Sequence, residues 1–499
     1  MLMKKIYYAL LSILLLFTLS IQSGYTQNIK QKPNIIYILA DDLGYGDIKK
    51  FNRNSQISTP NLDRLASEGA IFTNAHSGSS VCTPTRYGIL TGRYAFRSSL
   101  KNGVLKGYDP PLIEETRYTV ANLAKAAGYQ TAIIGKWHLG LGWTKNGDTS
   151  TMLQNTIGKN ENPKNINFAA PIKSGPNQLG FDYSYILPGS LDMAPYTFLK
   201  NGLSTNAKMI PFEGNSSPRG VFWTAGLAAD DFAIEKTLDI FINEAKNYIT
   251  KATYDAKPFF LYLPLTSPHA PWLPAAAFKN KSNAGIYGDF VMHTDDAVGQ
   301  IMKTLDSLGI SKNTLIVFTS DNGANWNNSD AATYPLHQAN YIFKGQKKDI
   351  WDGGHHIPFI VRWPTLVKAN SISLQTICLT DLMATMAAIT GQTIGKTSGP
   401  DSYNILPLLK GKNKAVRKSI IHHSANGTFA IRKGKWKLID GQGSGAEFLS
   451  NKLDESYGQL YDMERDERET NNLYEKYPEV VKELKILLEK QKKQGYSNR

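Results

Sequence analysis

Asp41 and Asp42 stand side by side in ADDLGYGD, and Asp321 and Asn322 adjoin in SDNG. Neighbouring carboxylates repel unless a cation joins them. Three carboxylates and one amide carbonyl make an all-oxygen set, which selects a hard ion such as Ca2+ or Mg2+. A zinc pair would draw on histidines, and these motifs hold none. A second kind of chemistry gathers in SGSSVCTPTRYGILTGRY, residues 77–94, around Cys82, one of two cysteines in 499 residues. A Ser/Gly-rich stretch leads in and an apolar run leads out, which sets Cys82 where a loop turns into a helix. Free backbone N–H groups and the positive end of the helix dipole meet there, and Arg86, one turn on, adds a fixed cation. Such a site would lower a nucleophile's pKa and receive an anion; an inert core thiol is the plainer alternative. Lys136 and His138 in GKWHLG, His269 in SPHAP and Lys344 in FKGQK are cationic or proton-transferring. With Arg86 they would neutralise a tetrahedral oxyanion and protonate a departing oxygen.

These groups are far apart in sequence, so a scaffold must gather them. Residues 35–40 are apolar throughout and read as a buried parallel strand, with Asp41 and Asp42 at its C-terminal end. Open α/β sheets place their ligands at such ends. Thr59, Pro60 and Gly69 punctuate a helix, and a second helix breaks at Gly128 before a strand over 131–134 that delivers Lys136 and His138. As residues i and i+2 of an extended segment, these two would point the same way. Residues 144–220 are polar and weakly patterned, as binding loops are, and Asp192 within them is a candidate for the substrate pocket. Helical spacing over 230–249 leads to a strand ending at Thr266, which presents His269. A helix over 291–308 leads to a strand over 314–319, which presents Asp321 and Asn322; His337 is a further substrate-binding candidate, and another strand covers 358–361. This alternation predicts an α/β fold with a large, mostly parallel central sheet flanked by helices. Past Asp401 short antiparallel strands and an amphipathic helix over 477–493 predict a smaller C-terminal α+β subdomain. The expected divisions are 1–27, 28–400 and 401–499.

Hydrophobic residues at 41% and charged residues at 20% fit a globular protein with ample core. The net charge of +14 suits an anionic partner, but it is spread along the chain with no compact stripe, so no nucleic acid is expected. Lys4, Lys5 and the apolar run 6–19 read as an export signal cleaved before residue 28. The run is shorter than the roughly 20 residues of a spanning helix. The expectation is a periplasmic or secreted protein with no membrane span after cleavage. Two cysteines give such a protein no disulfide framework, and Cys378 is expected as a core thiol.

CTPTR has the pattern C-x-P-x-R, which resembles the maturation signature of the type I, formylglycine-dependent sulfatases of the alkaline phosphatase superfamily. ADDLGYGD and SDNG resemble that family's calcium-binding motifs, GKWHLG its Lys-x-His motif, SPHAP and FKGQK its sulfate contacts, and QLYDMERDERETNNL its C-terminal signature. The texture is most similar to arylsulfatase A-type and N-acetylgalactosamine-6-sulfatase-type members. The resemblance implies an alkaline phosphatase-like fold and one Ca2+, ahead of Mg2+, at Asp41, Asp42, Asp321 and Asn322. It implies that Cys82 is oxidised by a maturation enzyme to Cα-formylglycine (3-oxoalanine), whose hydrate attacks sulfur. Arg86, Lys136, His269 and Lys344 would hold the sulfate, His269 would protonate the leaving alcohol, and His138 would assist release. A sulfated glycan is the implied substrate, with 6-O-sulfated galactose or N-acetylgalactosamine foremost. Thr85 stands where serine is commonest and His356 where arginine is usual. A phosphodiester or phosphonate hydrolase of the same superfamily, and a glycan-binding pseudoenzyme, are the competing readings.

Overall fold

The computed structural model describes residues 32–153, 156–158, 162–255, 257–446 and 458–498. The expected export signal, 1–27, lies outside them. Strand β1 (Asn34–Asp41) runs up the middle of a ten-stranded sheet. The other strands, in chain order, are β2 (Ala70–Phe72), β3 (Gln130–Lys136), β4 (Tyr183–Leu187), β5 (Leu199–Lys200), β6 (Leu203–Ser204), β7 (Phe259–Pro268), β8 (Thr314–Ser320), β9 (Phe359–Arg362) and β10 (Ser371–Ser373). Their order across the sheet is β10-β2-β9-β8-β1-β7-β3-β4-β5-β6. The five central strands, β8 to β4, are parallel, and β9 and β5 flank them antiparallel. Ile38 of β1 lies between Leu263 of β7 and Phe318 of β8.

The unbroken apolar run of β1 follows from burial on both faces. Ile35, Tyr37 and Leu39 enter one core and Ile36, Ile38 and Ala40 the other, the alternation a pleated strand imposes. Helices α1 (Pro60–Ser67), α4 (Thr237–Tyr254) and α5 (Gly285–Ser307) cover the second core through residues such as Leu65, Phe241 and Val298. Helices α2 (Cys82–Thr91), α3 (Val120–Ala126) and α6 (Leu382–Thr390) cover the first through Ile89, Leu123 and Met386. With both faces shielded, the parallel strands open only at their ends.

Past residue 401 come four antiparallel strands, β11 (Ile420–His423), β12 (Phe429–Lys433), β13 (Trp436–Asp440) and β14 (Gln459–Asp462), with helix α7 (Pro478–Gln494) packed on them through Val481, Leu484 and Leu488. Cys378 joins this cluster as a buried thiol. The small sheet is tied to the large one rather than separate: the described residues from Asn34 onward form one compact unit. His423 bridges to Ser79, and buried Lys437 pairs with Asp352 at 2.7 Å.

At that junction His76, His355 and His422 meet behind the loop leading to Cys82. His76 and His355 approach through their Nδ1 atoms at 3.2 Å, and His355 stacks on His422 at 3.8 Å. Burial first, then neighbouring positive groups, holds all three below the usual histidine range, His422 at about 3. An unfolded histidine takes its proton near pH 6.5 whereas these refuse it, so their contribution is intact above 6.5 and is lost as pH falls below it. For His422 alone the loss is about 2 kcal/mol at pH 5. Chemical denaturation at pH 7.5 and 5 should show it: a His422→Gln variant is expected to lose about 2 kcal/mol less than wild type across that interval. Equal losses would remove His422 from the acid sensitivity.

Candidate active site

The strand ends and one helix start converge as their sequence positions require. Asp41 is the last residue of β1, after a register shift against β7, and Asp42 comes next with a left-handed φ of 63°. Such backbone strain in a non-glycine residue is tolerated where the surroundings fix it. Asp42 N–H donates to Asp321 Oδ1 at 3.2 Å, joining the ends of β1 and β8. Cys82 opens α2 with no side chain capping its first turn, so those N–H groups remain available there. From the next turn Arg86 reaches Asp321 at 2.7 Å and Asp41 at 3.3 Å, fully buried. Lys136, the last residue of β3, donates to Asp41 at 2.6 Å and to Ser190 Oγ at 2.9 Å. Past β7, His269 brings Nε2 to 3.6 Å from Asp42 and turns Nδ1 to the Ala270 carbonyl.

Two threonines of CTPTR hold this floor together. Thr83 Oγ1 donates to the His138 carbonyl at 3.0 Å and accepts from Leu105 N–H. Thr85, where serine is the commoner residue, donates to the Ser79 carbonyl at 3.2 Å. His138 does not continue the extended segment from Lys136: its φ of 56° turns it, and its Nε2–H donates to the Leu105 carbonyl at 2.7 Å. That bond leaves Nδ1 bare, and no described residue partners it. Burial first, then Lys136 and Arg86, keeps the ring neutral, so Nδ1 offers a lone pair that can accept a hydrogen bond.

A cavity of about 290 Å³ opens over these groups, lined by Cys82, His138, His269 and Asp42 and walled by Phe222 and Trp272. Asp192 lines it too, with a buried Oδ1 that has no hydrogen-bond partner. A larger, more open groove of about 830 Å³ lies at the opposite end of β3, by Gln130 and Tyr248, and contains none of the catalytic candidates.

Two sequence assignments are corrected. Lys344 does not reach the cavity: it donates to the Glu469 carbonyl at 3.2 Å and lies over the Trp351 ring. The chain reverses at Gly345 (φ 80°), and the lysine that arrives is Lys347, 2.7 Å from Asp42 Oδ2. Its backbone is pinned on both sides, Lys347 N–H to the Ala324 carbonyl and Lys348 N–H to the Ser80 carbonyl. Burial opposes its charge most strongly, but Asp42, Cys82 and Asp41 together outweigh burial and keep it protonated. His337 is likewise not a cavity residue. It is buried under the Asp42 loop and pairs with Asp47 at 2.9 Å. Ser190 was missed; its signal was a further parallel strand, β4, which ends three residues before it.

The expected lowering of the thiol pKa is also overturned. Burial pushes Cys82 up to about 12, beyond what Lys136 and Lys347 recover. An unmodified thiol here is a poor nucleophile at neutral pH.

The residues fit a hard cation. Asp41, Asp42 and Asp321 are buried together, and Asp41 Oδ1 makes no hydrogen bond although Arg86 is in ion-pair reach. Asn322 Oδ1 also has no partner. Burial pulls Asp41 up, but Lys136, His269 and Arg86 outweigh it and hold it well down; Asp321 is pushed up by burial and then by Asp41. Three carboxylates and three cations, Arg86, Lys136 and Lys347, leave the floor near neutral. A divalent ion would make it positive, as a bound sulfate ester requires.

Strand ends of a doubly covered parallel sheet, a helix-start residue 82 and a charged, water-poor floor define a hydrolase for anionic esters. The sulfatase family model matches residues 33–392, and the model for the N-sulphoglucosamine sulphohydrolase C-terminal region matches 343–494. The chain belongs to the sulfatase family and is a sulfuric ester hydrolase. It is 35% identical to an N-acetylgalactosamine-6-O-sulfatase of Bacteroides thetaiotaomicron over 94% of each chain. Human arylsulfatase A is 30% identical, over 92% of this chain and 87% of that one. A solved structure concerned with metabolism of multiple glycosaminoglycans by Bacteroides thetaiotaomicron superposes with a TM-score of 0.80 at 34% identity, covering 93% of this chain and all of that one. A sulfatase from Pseudoalteromonas sp., at 23% identity and a TM-score of 0.71, shares the fold.

Proposed function

We propose that this sulfatase is exported and removes O-sulfate from a sulfated polysaccharide or glycosaminoglycan-type sugar, with 6-O-sulfated N-acetylgalactosamine or galactose as first candidate. The observation that carries the reading is the placement of residue 82 at a helix start, on a floor where three cations and three carboxylates meet beneath a walled cavity. The sugar follows from the cavity and from a relative. Trp272 and Phe222 offer aromatic walls, Asp192 an unpartnered carboxylate oxygen for a hydroxyl, and the Bacteroides relative is an N-acetylgalactosamine-6-O-sulfatase. A periplasmic or secreted location and a separate maturation enzyme complete the reading; among the described residues no helix is long and apolar enough to cross a membrane.

Asp41, Asp42, Asp321 and Asn322 would hold one calcium ion. Bound there, calcium would supply the positive charge that polarises a sulfate oxygen, and a formylglycine made from Cys82 would supply the nucleophile as its hydrate. The chain's own groups do the rest. Lys136 and Lys347 bring positive charge to the sulfate oxygens, and Arg86 fixes Asp41 and Asp321 in place. His269, at the cavity edge, is placed to give a proton to the departing sugar oxygen. His138 Nδ1, held neutral, offers a hydrogen-bond acceptor beside residue 82. The walls keep bulk water from these charges, which strengthens them.

Sulfate release from N-acetylgalactosamine 6-sulfate, its 4-sulfate isomer, an aryl sulfate and an aryl phosphodiester tests the reading. The 6-sulfate is expected to turn over fastest among the sugars. An enzyme that favours the phosphodiester, or cleaves aryl sulfate but no sulfated sugar, would refute it. Chelation gives a separate check. Protein stripped with a chelator should melt lower, and calcium restored to about 100 times its Kd should add about 2.7 kcal/mol, more than equimolar magnesium adds. A melt indifferent to calcium would exclude the ion from these residues.

A further inference from the structure

Against the turn that follows Asp42 lies a second recess whose chemistry the hydrolysis leaves unused. It encloses about 760 Å³, and its charged lining is entirely cationic: Lys49, Arg53 and Lys281, set among side-chain amides such as Asn283 and Gln338. No carboxylate lines it among the described residues. Asp63, which feels the charge of Lys49, is turned to the Lys50 N–H at 3.0 Å. All three cations are exposed, and Leu336 stands beside them 75% exposed. Like charges gathered with no carboxylate between them repel, and an anion in the recess would relieve them.

Its framework is rigid and shared with the active site. Asn52 Nδ2 donates to the Gly46 carbonyl at 3.1 Å, and Ser55 Oγ to the Asp47 carbonyl at 2.7 Å. Both carbonyls belong to the turn that begins at Asp42. On the far wall, Asn283 lies two residues before α5, whose first turn carries Tyr287 into the catalytic cavity. An aromatic partition, Tyr287 against Trp326 at 5.2 Å and Trp326 against Tyr334 at 6.0 Å, stands behind that wall.

We infer that this recess is a distal subsite for a polyanionic glycan, gripping sulfates or carboxylates further along the chain whose sulfated sugar occupies the catalytic cavity. The inference rests on the glycan reading above. A sulfated polysaccharide is favoured over other polyanions because the neighbouring cavity takes its sulfate groups, and because amides and serines beside the cations suit sugar hydroxyls. The recess thereby confers a preference for chain over monosaccharide.

The test replaces all three cations at once, Lys49→Ser, Arg53→Ser and Lys281→Ser, at surface positions where folding should survive; an unchanged melting temperature verifies that it has. Binding of a hexasaccharide rich in N-acetylgalactosamine 6-sulfate is measured by calorimetry on catalytically silent Cys82→Ala protein, with and without the triple substitution. The triple variant is expected to bind the hexasaccharide about tenfold more weakly, with a shallower salt dependence, while binding the monosaccharide equally. In the active enzyme, aryl sulfate turnover should be unchanged and hexasaccharide kcat/KM about tenfold lower. Equal hexasaccharide binding with and without the cations would overturn the subsite. So would duplex DNA competing as well as the hexasaccharide, since the recess would then serve polyanions at large. A wild-type enzyme that cleaves aryl sulfate but no sulfated sugar would instead overturn the glycan reading, and the hexasaccharide binding comparison would still judge the recess by itself.

Discussion

Cys82→Ala is expected to lower kcat for sulfate release by about 10⁴-fold or more, with the fold intact. The size follows from the position. Residue 82 stands at the cavity floor with Arg86, Lys136 and Lys347 around it, and removing the nucleophile of a working unit costs far more than removing one supporting charge. The thiol itself does not carry the reaction in this reading. Buried and pushed up to about 12, it stays almost wholly un-ionised at neutral pH. Activity should therefore track conversion of Cys82 rather than its presence. Mass spectrometry of the tryptic peptide 65–86 reads that conversion as a loss matching exchange of thiol for aldehyde. Preparations with higher conversion should show proportionately higher kcat. The alanine variant removes only a small buried group, so its melting temperature should stay within a few degrees of wild type. A variant that retained a tenth of the activity would overturn the nucleophile assignment. Activity without any conversion would overturn the maturation.

Much of this site could be read from the sequence because its parts sit where chain direction is strongly constrained. Ile35, Ile36, Tyr37, Ile38 and Leu39 are buried on alternating faces, so the run could only be an interior strand, and the two aspartates after it had to emerge at the ligand-binding edge. The same logic delivered Lys136 from β3, His269 from β7, and Asp321 and Asn322 from β8. Where regular structure ends, the logic weakens. KGQKK offers three lysines in five residues, and residue spacing in a loop fixes no direction. Hydrogen bonds from Lys347 to Ala324 and from Lys348 to Ser80, between segments distant in sequence, decide which lysine enters. His337 misleads for a similar reason: its polar group is satisfied by Asp47 below the site, a pairing no local pattern announces. The thiol was misjudged through magnitude. A helix start and an arginine do favour a thiolate, but complete burial opposes it more strongly than they help. The strands past residue 401 are antiparallel, yet Lys437 and His423 tie them to Asp352 and to Ser79 beside the catalytic loop.

The loop lysines give the sharpest contrast between sequence and structure, and kinetics can separate them. Lys347→Ala is expected to lower kcat/KM by about 10²- to 10³-fold, the loss of one preorganised charge facing the developing negative charge, about 3–4 kcal/mol of barrier. Lys347 also neutralises Asp42 at 2.7 Å, so its removal leaves a buried carboxylate without that partner. For that reason Lys347→Arg is a necessary companion. It restores charge but not the shape of an ammonium on a slender stem, and should recover part of the rate. Lys344→Ala removes a contact with the Glu469 carbonyl and a position over Trp351, 4.1 Å from its ring centroid. The first joins the 344–353 loop to the C-terminal segment, the second lies within that loop, and none of these residues lines the cavity. Their loss should cost about 1 kcal/mol of stability and leave kcat/KM on an aryl sulfate within about threefold of wild type. Initial rates for the three variants, beside their melting temperatures, distinguish the roles. If Lys344→Ala cost as much activity as Lys347→Ala, both would have to act on the sulfate and the loop would have to close further over the substrate. If Lys347→Ala turned over normally, the charge that balances Asp42 would be dispensable, and sulfate binding would fall to Lys136 and the cation held by the three aspartates.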